Sequence, residues 1–308
     1  MRIYLYKVLI KMYSFFLKKS GAYNSFNSFF ESETKSDFKY TKLKGAIQLG
    51  YTPNLKKPKS FNEKSIHRRL YCRSPLWPIV TNKIEVRRWL VECKLNDDVK
   101  LIPKIHIIDD VEKFEFSNIK EPVVIKAAWA SGMNVFVKEP QLEDWASIKN
   151  KLLEWQKKEY APQRLVWPAT QMKKEFLVEK MYSNLGNDLL EDYKFYVFHG
   201  KVELVQIITG RDEEPCYAHF DRSLNRLAVK RYNKKEIDIG FKLNPVVHKM
   251  ILIAEKIGCY FDFARVDLYE LDGEVYFGEI TQCPNNGYAR FEPTEVDMKL
   301  GEKWRYPE

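Results

Sequence analysis

Short β-branched and aromatic runs alternate with amphipathic helical segments along most of this chain, and that alternation marks an α+β fold whose sheets are mostly antiparallel. Two hairpin signals support it. Residues 193–198 and 202–208 flank His199-Gly200-Lys201, and residues 265–269 and 275–279 flank a turn near Asp272-Gly273. A third observation supplies the helical layer. Val247, Met250, Ile251, Ala254 and Ile257 recur on one face of residues 246–257, and Gly258 ends the helix.

The remaining elements follow in order. Residues 19–62 read as irregular structure with short helices, broken at Pro53 and Pro58. Residues 62–96 read as helical. Ser60 caps the segment from Phe61, and Thr81 is the candidate N-cap of a second helix that carries the charged block at 83–88. Val123-Val124-Ile125 is a strand ending at Lys126, followed by the loop AAWASGMN and the strand Val135-Phe136-Val137. Residues 142–159 form a helix, and the strand Phe176-Leu177-Val178 leads into Glu179-Lys180-Met181. There are no repeats. The organisation reads as a basic N-terminal segment (1–45), a helical region (46–120), and two α+β subdomains (121–182 and 183–308).

Bulk composition narrows the function less sharply. A chain of 308 residues, 45% hydrophobic and 14% aromatic, builds one or two tightly packed lobes. Lys and Arg number 51 against 42 Asp and Glu, and the resulting +9 favours anionic partners without choosing among them. The basic residues are dispersed and no recognition motif is present, so nucleic acid is not an expected partner. The 5 cysteines lack C-x-x-C spacing and are odd in number, which reads as reduced thiols in a cytoplasmic protein. No apolar run is long enough to span a bilayer. Lys7, Lys11 and Lys18 interrupt the apolar start and argue against a signal peptide. Residues 1–18 read either as an amphipathic helix at the inner face of the membrane or as a helix packed on the protein body.

The sharpest chemical feature is ARVDLYELDGEVYFGEIT. Asp267 and Glu279 lie on two strands joined by a tight turn, and carboxylates facing each other across a hairpin suit Mg²⁺ carrying phosphates. The spacing makes a demand. A two-residue Asp272-Gly273 loop sets Asp267 opposite Gly278 and turns Glu279 to the other face, so a shared site requires an odd loop. The alternative is that both carboxylates are ordinary solvated strand residues.

Basic side chains elsewhere fit an anionic ligand. Lys126 ends a strand beside Ser131-Gly132, where a lysine and backbone amides together suit phosphate oxygens. Lys194, flanked by aromatics, either snorkels to the surface or serves an anion. Arg211 follows a strand, and Arg265 shares a face with Asp267, either as a salt bridge or as a group for an acyl phosphate.

Taken together, SFNEKSIHRRLYCRSPLWPIVTNKIEVRRWL, VVIKAAWASG, FLVEKMY, DYKFYVFHGK, FDFARVDLY and VYFGEITQCPNNG resemble the TupA-like ATP-grasp family, in family order from about residue 48 to 301. The resemblance implies an ATP-grasp fold in which two α+β subdomains clasp ATP. Lys126 then serves the α-phosphate side, and Lys83, Ser131 and Gly132 join the cofactor-binding set. Glu179, Lys180 and Met181 form the hinge at adenine, and Lys194 points at the phosphates. Asp267 and Glu279 become Mg²⁺ ligands with Thr281, which stands where many relatives have Asn. Lys194, Arg211 and Arg265 become the catalytic set. The implied activity is an ATP- and Mg²⁺-dependent carboxylate–amine ligase, acting through an acyl phosphate. It would attach an amino acid to a uronic acid or acidic polymer of the cell surface. Two departures stand out. Asn82 replaces the Asp of the D-K-x-x-x-R stretch containing Lys83 and Arg87, and AAWASG replaces P-N-H-G-S-G, with Trp129 in the His position. Rival readings are a polysaccharide glycosyltransferase, for which no D-x-D motif appears, and a non-catalytic ATP-grasp relative.

Overall fold

The computed structural model describes residues 37–158, 167–182, 190–210 and 214–305. Four helices come first: α1 (Asp37–Gln48), α2 (Phe61–Tyr71), α3 (Leu76–Thr81) and α4 (Glu85–Glu92). At the start of α2, Glu63 N donates to Ser60 Oγ at 3.2 Å and Ser60 N donates to Glu63 Oε2 at 3.1 Å. This is the reciprocal capping box that Ser-x-x-Glu encodes. The helix expected over 62–96 is three pieces. Thr81 closes α3 and does not cap the next helix. Asn82 Oδ1 instead accepts from Ile84 N at 2.8 Å and Glu85 N at 3.1 Å. An Asn side chain that captures the amides just ahead of it competes with helix continuation, so the chain turns here and leaves Lys83 in the bend.

Two sheets follow. The smaller runs β2-β5-β3-β4, from β2 (Lys104–Ile108), β3 (Val123–Ala127), β4 (Asn134–Val137) and β5 (Phe176–Lys180), all antiparallel. The larger runs β1-β12-β11-β6-β7-β8-β10. Its long strands are β6 (Asp192–Phe198), β7 (Lys201–Thr209), β8 (Cys216–Phe220), β11 (Phe263–Leu271) and β12 (Glu274–Thr281). Only the short edges β1 (Lys100–Leu101) and β10 (Lys235–Glu236) pair in parallel. A two-stranded ribbon, β9 (Lys230–Arg231) with β13 (Phe291–Glu292), and helices α5 (Trp145–Lys157), α6 (Trp167–Thr170), α7 (Val247–Gly258) and α8 (Glu295–Lys303) complete the described fold.

Each sheet has one apolar face and one face that carries the polar site. In the smaller sheet Val123, Ile125, Ala127, Phe176 and Val178 pack with Ile148 and Leu152 of α5, while Val124, Lys126 and Glu179 face the other way. In the larger sheet Phe195, Val197, Ala264, Val266 and Leu268 pack against Met250, Ala254 and Ile257 of α7, the apolar stripe read from the sequence. Gly258 is the last residue of that helix, and a Cβ there would lie 2.2 Å from Val197 Cγ1, so only glycine lets α7 sit this close to β6. On the opposite face Phe61, Tyr196, Phe198, Phe263 and Trp304 form an aromatic cluster joining α2 and the end of α8 to the sheet. All 5 cysteines are free.

Both expected hairpins are present, with two-residue loops. His199-Gly200 (φ 48° and 78°) joins β6 to β7, and Asp272-Gly273 (φ 53° and 77°) joins β11 to β12. The odd loop required above is therefore wrong. The register is corrected by a bulge instead: Leu268 pairs with Phe277 and Asp267 with Glu279, leaving Gly278 as the extra residue. Val275 and Phe277 consequently join the α7-side core from odd positions, and Ile280 joins it from an even one. A Cβ at Gly278 would lie 2.8 Å from Asp267 O and 2.9 Å from Tyr269 Cε2, so the bulge is built around the missing side chain.

No helix among the described residues is long and apolar enough to cross a membrane. Residues 1–18, read above as amphipathic, lie outside the described residues.

Candidate active site

Lys194, Asp267 and Glu279 are lateral neighbours on three adjacent strands, because Asp267 pairs with Lys194 on β6 and with Glu279 on β12. Arg265 sits two residues before Asp267 on the same face of β11. Its Nε and Nη2 donate to the two Asp267 oxygens at 2.7 Å each, and Nη2 also donates to Glu279 Oε1 at 2.8 Å and Thr281 Oγ1 at 3.0 Å. Lys194 Nζ donates to Asp267 Oδ2 at 2.5 Å and lies 3.6 Å from Asp192. The Lys194 side chain is 10% exposed, so it does not snorkel.

These charges set one another's protonation. Burial works against ionising Glu279, but Arg265, Lys194 and Lys83 outweigh it and hold its carboxyl at about 2. Burial lifts Asp267 against the pull of Arg265 and Lys194. Glu279 gives Oε1 to Arg265 and to the Thr281 hydroxyl (2.7 Å), while its side chain stays 41% exposed to the cleft. The donor set suits Mg²⁺, which takes one or two carboxylates and fills its octahedron with water and phosphate oxygens. Thr281 props Glu279 from behind and lines the neighbouring cleft instead of this one.

The facing wall comes from the smaller sheet. Glu179, nearly fully buried, accepts Arg87 Nη1 at 2.7 Å on one oxygen and Lys126 Nζ at 2.5 Å on the other, and Arg87 also donates to Ile102 O at 2.6 Å. Glu179 thereby fixes α4 and β3 to one point of the cleft. Lys83 donates to Ala127 O at 3.0 Å and to Ala130 O, pinning the AAWASG loop. Burial pushes Lys83 down to about 8, against the pull of Glu279 and Glu179 and with help from Lys126. Ser131 and Gly132 (φ 75°) are exposed at the loop tip, and nothing lies within 4 Å of where a Gly132 Cβ would be. The Lys180 and Met181 amides donate to Pro103 O and Pro122 O at 3.0 Å each, so these two N–H donors are already spent on the backbone.

The two walls enclose a cleft of about 440 Å³. It collects Lys83, Lys126, Ser131, Gly132, Glu179, Lys180, Met181, Lys194, Arg265, Asp267 and Glu279. Arg211 lies outside the described residues. Six cations (Lys83, Arg87, Lys126, Lys180, Lys194, Arg265) face four carboxylates (Glu179, Asp192, Asp267, Glu279), a surplus suited to a polyphosphate. Ile102, Val124, Leu190 and Phe277 supply an apolar part of the lining. Asp192 was missed in the sequence, although its two-residue offset from Lys194 places both on one strand face.

The TupA-like ATPgrasp family model matches residues 63–305, most of the chain and every element of this cleft. The chain belongs to the TupA-like ATP-grasp family. Among solved structures, D-alanine–D-alanine ligase from Bacillus anthracis is 18% identical over 73% of this chain and 66% of that one, with a TM-score of 0.44. D-Alanine–D-alanine ligase from Helicobacter pylori is 14% identical over 74% of this chain and 62% of its own, at 0.39. The ATP-grasp ligase PsnB, complexed with a minimal precursor, is 11% identical over 76% and 63%, at 0.38. This chain thus spans less than two thirds of the length of those proteins, and likenesses this loose add nothing to the family assignment. No curated protein matches the chain.

Proposed function

We propose that this protein is an ATP- and Mg²⁺-dependent carboxylate–amine ligase that works through an acyl phosphate. The observation that carries the reading is the row Lys194–Asp267–Glu279, bridged by Arg265 and facing Lys126 and Lys83 across one cleft. Asp267 and Glu279, with Thr281 behind, would hold Mg²⁺, which supplies charge neutralisation at the phosphates. Lys126, Lys83, Ser131 and Gly132 would receive the phosphate chain, and residues 179–181 the base.

In the first step a substrate carboxylate oxygen attacks the γ-phosphorus, the bond to the β-phosphate oxygen breaks, and ADP leaves. Arg265 and Lys194 stand where charge develops on the transferred group, and their fixed geometry spares solvent reorganisation. In the second step an amine nitrogen attacks the acyl carbon, a C–N bond forms, phosphate leaves and the amine loses a proton. The carboxylate belongs to a uronic acid or acidic polymer of a cell-surface glycan, and the amine to an amino acid. The site of action would be the cytoplasm, with contact to the inner membrane face through residues 1–18.

The test is ADP release measured with paired acids and amines. ADP and phosphate forming only when both a uronic acid and an amino acid are present supports the reading. Turnover unchanged in Glu279→Gln would instead support a differently built site, and no ADP release by the wild-type protein with any pair would support a non-catalytic one. Mass spectrometry of the surface glycan from a strain lacking the protein should show loss of an amide-linked amino acid.

A further inference from the structure

Beside the nucleotide cleft lies a second cleft of about 310 Å³, which shares Lys83, Ser131, Arg265 and Glu279 with it. Four side chains that line it each carry a buried atom with no hydrogen-bond partner among the described residues: Arg69 Nε, Thr81 Oγ1, Trp129 Nε1 and Gln282 Nε2. Three of these side chains are more than nine-tenths buried: Arg69 and Trp129 are each 3% exposed, and Gln282 is 7%. Burying a polar group without a partner is costly, and several such groups lining one cavity point to a ligand that completes them.

The unspent groups are of one kind. Arg69 Nε, Trp129 Nε1 and Gln282 Nε2 can only donate, so the complement is an acceptor-rich ligand. The arginine adds charge. Arg69 donates Nη2 to Tyr288 OH at 3.0 Å and stacks over that ring at 5.2 Å, but no carboxylate pairs with it among the described residues. A buried arginine normally has an anion. Trp77 and Trp129 give the cleft flat apolar walls, which suit a ring or an aliphatic body.

Resting on the ligase reading for its place beside the γ-phosphate, we propose that this second cleft is the site of a carboxylate-bearing substrate. Arg69 recognises its charge, and Trp129 and Gln282 donate to its oxygens. The Trp that replaces His in the family's loop is then a substrate donor: its ring packs edge-on against Phe176 at 5.1 Å and its N–H is left for the ligand. The carboxylate has two possible sources, a uronic acid or an amino acid.

The experiment is calorimetric titration of the full chain, held with Mg²⁺ and a non-hydrolysable ATP analogue. The probes are glucuronate and galacturonate, glutamate and aspartate, and counterparts whose carboxyl groups are absent or neutral: glucose, galactose and the diamides of glutamate and aspartate. Saturable binding of either acid pair above its neutral counterparts supports the proposal, and whichever pair binds names the source. Arg69→Gln should weaken that binding roughly tenfold to a hundredfold, and Trp129→Phe, which keeps the ring and removes the donor, about fivefold. Analogue affinity, measured on the same samples, stays unchanged and verifies the fold of each variant. No acid binding, equal binding of neutral sugars, or full affinity in a folded Trp129→Phe variant overturns the proposal. A failure of the nucleotide site would appear separately, as lost analogue binding by the wild-type protein.

Discussion

The two adjoining clefts differ in how their polar groups are spent. In the cleft proposed for the nucleotide, four of the six cations are already paired internally: Glu179 holds Arg87 and Lys126, and Asp267 holds Arg265 and Lys194. In the second cleft Arg69, Trp129 and Gln282 each carry a donor atom with no partner among the described residues. The first arrangement is a frame that keeps its shape before ligand arrives, at the expense of exchanging ion pairs when phosphates enter. The second is incomplete until something fills it. Charged residues alone therefore do not identify a ligand-facing surface; the satisfaction of each group does.

Breaking the frame at its acidic end gives the largest effect. Glu279→Gln should lower turnover by on the order of 10²- to 10³-fold in an ADP-release assay, with a smaller loss of thermal stability than at a fully buried carboxylate, since Glu279 is partly open to the cleft. Asp267→Asn should lose activity as severely and stability as well, by about 3–5 kcal/mol in denaturant unfolding, because Arg265 and Lys194 are left buried without their shared carboxylate. Next comes the bulge. Gly278→Ala should cost roughly 2–4 kcal/mol and abolish nucleotide binding, because its Cβ would lie 2.8 Å from Asp267 O and must shift the strand that aligns the two carboxylates. If the variant keeps wild-type nucleotide affinity, the bulge does not set the site.

The pH dependence is gentler. Lys83 sits at about 8 without ligand, and phosphates nearby would raise it, so binding takes up a proton above that pH. Nucleotide affinity should therefore fall by up to about tenfold per pH unit as pH rises through 8, and Lys83→Met should flatten the profile. Folding carries the opposite sign. The unfolded lysine holds its proton up to its ordinary value of 10.5, so the cost of burying a charged Lys83 is relieved as pH rises from about 8 toward 10.5. The smallest effect is remote from both clefts: Ser60→Ala should cost about 1 kcal/mol through the α2 capping box, with ADP release unaffected.

Much of this frame was legible in the sequence, because local rules generate it. Ser60-x-x-Glu63 announces a helix start, and His199-Gly200 and Asp272-Gly273 announce hairpins. Period-two alternation puts Arg265 with Asp267 and Asp192 with Lys194. The bulge was not legible. A glycine inside a strand is as readily a weak pairing position as an inserted residue, and the local parity argument led to an odd-length loop that does not exist. Asn82 took over the turn assigned to Thr81 because two amides lay within its reach. The second cleft was the least visible. Arg69 lies on α2, Trp129 on the loop after β3 and Gln282 after β12, and their unspent donors exist only as a product of tertiary packing. Composition and spacing hold no record of which polar atoms folding leaves unsatisfied.

The most direct test of the frame is a structure of the complete chain with Mg²⁺ and a non-hydrolysable ATP analogue. The account predicts a cation against both Asp267 and Glu279, the triphosphate between them and Lys126, and the base at residues 179–181. A cation bound away from those two carboxylates, or a nucleotide seated outside the space between the two sheets, would contradict it.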